Sequence, residues 1–371
     1  MEYKKLEEIC DIVSGGTPSR SKSEYWNNGT IPWIKIGNIK AKYVESADEY
    51  ITEKGLDGSS TKLLKKGTIL YTIFATLGEV GILKIDACTN QAIAGLTLKN
   101  NANILPDYLY YYLKSKKHIV NNLGRGVAQN NINLSMLKQF KIPIIEIEKQ
   151  SKIINDLEKI NHILESQREQ LKLLDELVKA RFVEMFGDPI NNPMEWREST
   201  IGNECYYIKD GPHKSLNDIG KESGGHPFIS VRNIVNGYID FSSAKYISDA
   251  DYEDAIKKCN PEKGDILYSK GGTTGIAKLI DIDERFANWV HLAVLKFDKE
   301  KLNGVFFENM LNGDYCYAQS QRLTKGIANR DLVLSAMAKI KIYIPPLSLQ
   351  NQFADFVKEV DKSRLHVLYI S

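Results

Sequence analysis

Apolar positions recur along this chain with two different periods. Short runs rich in β-branched and aromatic residues, such as IPWIKI (31–36) and TILYTIF (68–74), are bounded by glycine and asparagine and predict strands. DYLYYYLKS (107–115) and VFFENMLNG (305–313) predict short helices. From 148 to 186 there is neither proline nor glycine, and apolar residues fall on a heptad at Ile153, Leu157, Ile160, Leu164, Leu171, Leu174 and Val178. Spacings of three and four keep these side chains on one narrow seam, as a helix needs in order to pack along another helix, and Gln167 takes one polar seam position. The run stops at Gly187-Asp188-Pro189, where glycine permits a left-handed cap and proline cannot continue the helix. At about 1.5 Å per residue it predicts a rod nearly 58 Å long.

The same pattern occurs twice. IPWIKIGNI (31–39) returns as HPFISVRNI (226–234), KKGTILY (65–71) as EKGDILY (262–268), and GVAQNNINLS (126–135) as GIANRDLVLS (326–335). Order and spacing persist together, which indicates a duplicated domain rather than a solenoid of short units. The duplication supplies a partner for the long helix. After Pro345-Pro346 the sequence carries Gln350, Phe353, Val357 and Val360 where the first copy has Gln150, Ile153, Leu157 and Ile160. The two helices are expected to pack antiparallel about a pseudo-two-fold axis, with one globular domain at each end. The second copy is shorter: its seam degrades at Arg364, where the first has Leu164, and it stops at Ser371. The unmatched part of the longer seam is expected to contact a second copy or a partner. The predicted organisation is a globular domain over 1–147, a spacer helix over 148–186, a second globular domain over 187–346 and a shortened helix over 347–371. The fold class is α+β, two homologous mixed domains separated by helices that pair as an antiparallel coiled coil.

Bulk properties narrow the function. The 371 residues, 43% hydrophobic, suffice for each half to bury a core. No run approaches the roughly 18 apolar residues of a membrane span and the first residues, MEYKKLEEIC, carry no apolar leader, so a cytoplasmic protein is expected. The five cysteines, Cys10, Cys88, Cys205, Cys259 and Cys316, contain no C-x-x-C and read as reduced structural thiols. The net charge of +2 conceals a mildly basic first domain, with 19 Lys+Arg against 13 Asp+Glu over 1–145, and an acidic connector, with 7 against 11 over 146–196. That balance is compatible with a polyanionic partner.

Catalytic chemistry is not indicated. The six histidines, His118, His162, His213, His226, His291 and His366, are scattered without metal-ligand spacing, and no metal site is expected. KGGTTGIAK (270–278) lacks the G-x-x-x-x-G-K-[ST] of a phosphate loop, and no carboxylate pair recurs in both halves. What does recur is a set of glycine-bearing loops combining Ser, Thr, Asn and Gln with isolated Lys or Arg. Arg and Lys hold phosphates or guanine edges, Asn and Gln pair with adenine edges, and glycine admits close backbone approach, so these loops are candidate readers of duplex DNA. In the first domain the candidates are Thr17, Ser19, Arg20, Lys35, Asn38, Thr72, Thr76, Arg125, Gln129, Asn130 and Asn131. In the second they are Lys209, His213, Lys214, Ser230, Arg232, Asn233, Ser269, Lys270, Thr273, Thr274, Lys325, Asn329 and Arg330. Trp26, Trp33, Trp196 and Trp289 are expected in the core rather than stacked on bases. From the residues alone two other readings stay open, a stand-alone DNA-binding regulator and a coiled-coil scaffold for proteins.

SGGTPSRSKSEYWNNGTIPWIKIGNI in the first repeat, F-G-D-P-x-x-N-P-x-x-W (186–196) entering the second, and I-P-P-L-x-x-Q (344–350) opening the second helix resemble the specificity subunit of type I restriction-modification systems. The resemblance spans essentially the whole chain, although the second repeat has Asp210-Gly211-Pro212-His213 in place of the G-x-T-P loop. It implies two target recognition domains, each reading half of a split DNA sequence, on a helical spacer that sets the gap, near one helical turn of about 34–36 Å. It further implies docking of two modification subunits, which carry S-adenosylmethionine and methylate adenine, and of restriction subunits that use ATP and Mg. This chain itself would hold no cofactor and perform none of that chemistry. Removing Arg232 is expected to relax recognition in one half-site by about 1–3 kcal/mol if it reads a base, whereas uniform weakening on all sequences would assign it to phosphate.

Overall fold

The computed structural model describes residues 2–124, 132–327 and 329–369. They form two compact units, 1–164 and 165–371. In the first, a five-stranded sheet runs in the order Cys10–Ser14, Ile93–Leu98, Ile69–Thr72, Val80–Leu83 and Tyr43–Val44, antiparallel but for the last, parallel pair. A three-stranded mixed sheet adds Glu49–Ile51, Ile31–Ile34 and Cys88–Thr89, and Glu2–Lys5 pairs with Lys141–Ile144. The second unit repeats the plan. Its sheets are Cys205–Asp210, Leu292–Phe297, Ile266–Ser269 and Ala277–Leu279; Lys245–Ile247, His226–Ile229 and Ala287–Asn288; and Arg197–Thr200 with Lys341–Ile344. The central strands Ile69–Thr72 and Ile266–Ser269 are buried on both faces, which explains their unbroken apolar sequence.

The long helix runs from Ile147 to Phe186 and the second from Leu347 to Tyr369. Each begins with a fully buried glutamine. Gln150 Oε1 accepts the Leu105 N–H at 2.8 Å, and its Nε2 donates to the carbonyls of Asn103 and Ile145 at 3.0 and 2.8 Å. Gln350 repeats this with the Asn303 N–H at 2.8 Å and the carbonyls of Pro345 and Lys301 at 2.8 and 3.4 Å. Leu105 and Asn303 are the N-cap residues of the helices Pro106–Ser115 and Gly304–Asn312, so one amide fixes two helix starts in each unit.

The predicted seam is realised in its later part. Within the second unit, Val178 is buried, Leu171 and Leu174 are half-buried, and Phe353, Val357 and Val360 are buried. Phe182 and Phe186 meet Phe353 with ring centroids 5.3 and 5.5 Å apart, Arg364 Nη2 reaches Asp175 at 2.6 Å, and Gln167 Nε2 donates to the Val367 carbonyl at 2.9 Å. These pairings run antiparallel. In the first unit the heptad reading needs correction: Ile153, Ile160 and Leu164 are exposed, Leu157 is half-buried, and Ile154 enters the core instead. There the helix docks on its own unit through Gln150, Ile154, Glu158, whose carboxylate meets Lys42 Nζ at 2.5 Å, and Asn161, which donates to the Tyr111 hydroxyl at 3.3 Å. Polar residues on the docking stripe hide it from a hydrophobic count.

All five cysteines are buried and unpaired, and burial pushes Cys10, Cys205 and Cys316 up to about 12 and Cys259 up to about 11, away from thiolate chemistry. No helix among the described residues is long and apolar enough to cross a membrane.

Gln350→Leu strands the Asn303 N–H and the Pro345 carbonyl in the core, at about 1–3 kcal/mol for each group left unpaired. Urea unfolding of the full chain is expected to show that loss in the transition of the second unit, and Gln150→Leu the same loss in the first. A shift under about 0.5 kcal/mol, the range of an ordinary surface substitution, would remove the amide from this role.

Candidate nucleic-acid interface

Each unit carries the same closed loop at the end of its central strand. Thr72 Oγ1 accepts the Glu79 N–H at 2.8 Å and donates to the Thr76 carbonyl. Ser269 Oγ accepts the Ile276 N–H, also at 2.8 Å. These hydroxyls are fully buried and belong to the loop's own structure, which corrects the expectation that they face DNA. What the loops display is Phe74, Ala75 and Thr76 in one unit and Gly272 and Thr273 in the other. At the equivalent tips Ala75 has φ +60° and Gly272 φ +70°, so the first unit holds a non-glycine residue where the turn requires a left-handed backbone.

Several other candidates are internal. Asn233 is 1% exposed; its Oδ1 accepts from the Ser230 N–H and Oγ at 2.9 and 3.1 Å, and its Nδ2 donates to the Asp240 carbonyl at 2.8 Å. Half-buried Asn38 accepts the Lys35 N–H at 2.9 Å in the matching turn. Lys270 is 5% exposed and pairs with Asp331 at 3.0 Å and Asp210 at 3.5 Å. It replaces the apolar Ile73 of the first unit, and a buried ammonium is tolerable only because those carboxylates enclose it. Thr274 is buried, with its hydroxyl 3.0 Å from that of Thr324. Lys270 and Thr274 thus hold Asp331 and Thr324, at either end of the loop that carries the remaining candidates, rather than face outward. That segment exposes Lys325, Asn329 and Arg330, the last bonded to Gln321 Oε1. Arg125, Gln129, Asn130 and Asn131 lie outside the described residues.

The remaining first-unit candidates cluster around a carboxylate. Glu49 pairs through Oε1 with Lys35 Nζ and through Oε2 with Arg20 Nη2, the latter at 2.5 Å as an ion contact without hydrogen-bond alignment. The Arg20 guanidinium lies 3.6 Å from the Trp26 ring centre and 5.0 Å from that of Trp33, which meet edge-on at 5.1 Å. Lys35 and then Arg20 hold the Glu49 carboxyl below the usual carboxylate range, against the opposing effect of partial burial. Thr17 donates to Gln91 Oε1, and Ser19 Oγ lies 2.9 Å from Ser21 Oγ.

In the second unit the corresponding region is open. A cavity of about 350 Å³ is bounded by Ser230, Arg232, Val235 and the loop Gly271-Gly272-Thr273, with Trp289 and His291 behind. A second, of about 240 Å³, shares Ser230, Arg232 and Trp289 and adds Lys245, Ser215 and Phe228. Arg232 is exposed and donates to the Ser243 carbonyl at 2.8 Å. Lys209 lies over Tyr207 at 5.1 Å, His213 is 3.6 Å from Asp210, and Lys214 is 2.7 Å from Asp254; these three lie outside the cavity linings. Trp33 is core as expected and donates to the Gly16 carbonyl at 2.9 Å, and half-buried Trp196 donates to that of Phe186 at 2.9 Å. Trp26 is half-buried beneath Arg20, and Trp289 lines both cavities. Trp289, His291, Lys245 and Glu49 are absent from the sequence-derived set. Aligning TNQAIAGL (89–96) with NWVHLAVL (288–295) at an offset of 199 brings out the first two, because an aromatic pair then replaces small and polar residues at a conserved strand end.

Comparison with known proteins extends these parallels. The family described as type I restriction modification DNA specificity domain matches twice, over residues 1–174 and 193–367. The MjaIX specificity subunit of a type I restriction enzyme from Methanocaldococcus jannaschii is 26% identical over 96% of this chain and 86% of its own length. The EcoR124I/EcoR124II specificity subunit of Escherichia coli is 31% identical over 49% of this chain and 46% of its own. Among solved structures, the S subunit of a type I restriction-modification system from M. genitalium superposes with a TM-score of 0.57 at 18% identity, covering 99% of this chain and 90% of that one, which supports the same fold.

Because its folded value is depressed, the Glu49 carboxylate contributes stability that is complete above its unfolded value of about 4.3 and is lost as pH falls through the lower folded value. Glu49→Gln is therefore expected to cost the first unit about 0.5–1 kcal/mol at pH 7, the range of a partly exposed pair. Urea midpoints of variant and wild type should converge as pH falls below 4; a gap that persists in acid would assign the loss to packing.

Proposed function

The chain belongs to the family of type I restriction-modification DNA specificity domains, and from that premise we propose that it is the recognition subunit of such a complex, each unit reading one half of a bipartite target. The observation that carries this reading is the duplication of a scaffold whose core is preserved while its displayed groups change. Ile69, Leu70 and Tyr71 correspond to Ile266, Leu267 and Tyr268, all fully buried, whereas in the loops beyond them Phe74 and Ala75 of one unit stand where the other has Gly271 and Gly272, with Thr76 and Thr273 alike. Two related scaffolds with unlike loops suit two unlike half-sites.

In this proposal the chain supplies positioning and readout in the cytoplasm. Methylation and restriction belong to docked partners, two modification subunits carrying S-adenosylmethionine and restriction subunits using ATP and Mg. The helices serve as the spacer, and the exposed Ile153, Ile160 and Leu164 are candidate docking positions for the modification subunits. The base-reading set narrows to groups that are exposed, half-exposed or in the open cavities: Thr17, Ser19, Arg20, Lys35 and Thr76 in the first unit, and Ser230, Arg232, Thr273, His291, Lys325, Asn329 and Arg330 in the second. Lys209, His213 and Lys214 serve at most as flanking phosphate contacts.

Mapping methylated adenines in cells that carry this chain with its modification subunit tests the proposal. Thr273→Ala and His291→Ala are expected to relax one half of the target, at about 1–3 kcal/mol for each lost base contact, and to leave the other half unchanged. Equal relaxation of both halves would refute the division of labour, and a purified chain that binds duplex DNA without a partner-dependent methylation pattern would favour a stand-alone regulator.

A further inference from the structure

The two units differ in charge at one shared place on their small mixed sheets. The strand register makes the correspondence explicit: Trp33 pairs with Glu49 and, in parallel, with Cys88, while Phe228 pairs with Lys245 and, in parallel, with Ala287. Glu49 and Lys245 therefore occupy the same sheet position. Lys35 and Ser230 also correspond, since each precedes a 3₁₀ turn whose asparagine, Asn38 or Asn233, accepts its N–H at 2.9 Å. Gly15 and Gly211 are equivalent glycines at which a Cβ would overlap the backbone of 89–90 and 288–289, and five residues on come Arg20 and Leu216. Where the first unit packs Arg20, Lys35 and Glu49 into a closed ion cluster over Trp26 and Trp33, the second has Leu216, Ser230 and Lys245 around the cavity of about 240 Å³.

That cavity is lined for an anion. Arg232 and Lys245 supply cationic donors and Ser215 and Ser230 supply hydroxyls. Trp289 adds a buried indole N–H that has no hydrogen-bond partner among the described residues. No carboxylate lines the cavity, and Lys245 forms no ion pair among the described residues. The nearby acid is Asp218, whose Oδ1 already accepts the N–H groups of Gly220 and Tyr246 at 3.1 Å; those bonds, and then the charges of Lys245 and Arg232, hold its carboxyl below the usual range. Charge-assisted donors around a cavity of this size match the tetrahedral, multiply accepting phosphate group.

We propose that this cavity is a phosphate site that seats a backbone phosphodiester of the bound duplex, and that the first unit lacks the site because its own Glu49 occupies the equivalent position. The proposal rests on the DNA-recognition reading for the source of the phosphate, but not for the chemistry of the cavity. It assigns Arg232 to phosphate rather than to a base, so that this residue anchors the second unit while Thr273 and His291 remain available for sequence.

The test uses the full chain, its Lys245→Gln and Lys245→Glu variants, and Lys245→Arg as the conservative control. Inorganic phosphate is titrated against each at constant ionic strength and followed by calorimetry. Labelled duplex is titrated at several salt concentrations and followed by anisotropy. Lys245→Gln is expected to weaken phosphate binding about tenfold, as loss of one charge-assisted contact would. It should also flatten the slope of log affinity against log salt by about 0.9 for every duplex sequence, while Lys245→Arg retains both properties. Lys245→Glu, which imports the first unit's residue, should abolish phosphate binding. Unchanged phosphate affinity in Lys245→Gln overturns the site. Lost phosphate binding with an unchanged salt slope overturns the duplex as its occupant in favour of a free phosphate compound. A wild-type chain that binds phosphate but no duplex would refute the recognition reading and leave the cavity's chemistry standing.

Discussion

One buried amide per unit fastens each long helix to the globular body from which it springs. A glutamine with no exposed surface pays its desolvation only if donor and acceptor are both matched, and Gln150 and Gln350 each match three backbone groups drawn from two separate segments. The consequence is directional. An apolar contact at the helix root would tolerate rotation and slippage, whereas an amide bonded to the N-cap residue of a neighbouring helix and to the chain entering its own helix fixes both rotation and height. Under the proposed role, in which the helices space two reading surfaces, that rigidity is required, because a helix free to turn at its root would carry no geometric information along its length.

How the remaining helix surface is used follows from what packs against it. In the second unit, Phe182 and Phe186 meet Phe353 and Phe306 in a dense aromatic contact, Val178 is buried in the same core, and the heptad expected there from Leu171 onward is the one the structure uses. In the first unit the heptad misreads the helix by one residue, burying Ile154 where Ile153 was expected. The cause is physical: the docking face passes through Gln150, Glu158 and Asn161, whose polar groups are satisfied by Lys42, Tyr111 and backbone atoms far away in sequence. Hydrophobic periodicity registers a face only when that face is apolar.

The same distinction decides how much of the interface could be read in advance. Duplication, the mixed α+β class and the central strands were legible because buried apolar side chains repeat in register, as Ile69-Leu70-Tyr71 and Ile266-Leu267-Tyr268 do. The loops were legible as loops, and Arg232 and Thr273 do come together at one cavity. Asn233, Ser269, Lys270 and Thr274 carry the right chemistry for reading DNA, but the structure spends it internally, on partners such as Asp331 and Thr324 that lie 50 or more residues away in the chain. A polar residue's type gives no sign of whether a partner will be folded against it. Trp289 is both, since its ring packs against the core around Phe228 and Tyr252 as expected while another part of it lines the two cavities.

Glu49 and Lys245 show how a duplicated scaffold can diverge without altering its fold. Both sit opposite an aromatic residue on a short antiparallel strand, and exchanging carboxylate for ammonium leaves the register intact. The electrostatic outcome nevertheless reverses. In the first unit two cations are neutralised at contact distance, so a polyanion approaching Arg20 and Lys35 must compete with a carboxylate already in place. In the second, Arg232 and Lys245 line a cavity with no carboxylate in its lining, and the nearby Asp218 already accepts the N–H groups of Gly220 and Tyr246. Non-specific attraction to DNA grows with every unpaired cation, whereas specificity requires that attraction to stay below the contribution of base contacts. If the proposed recognition role holds, an arrangement that leaves cations open in one unit and closes them in the other would anchor the duplex at one end and make binding at the other depend on displacing Glu49, so that the first unit would engage only where its base contacts outweigh the lost ion pairs.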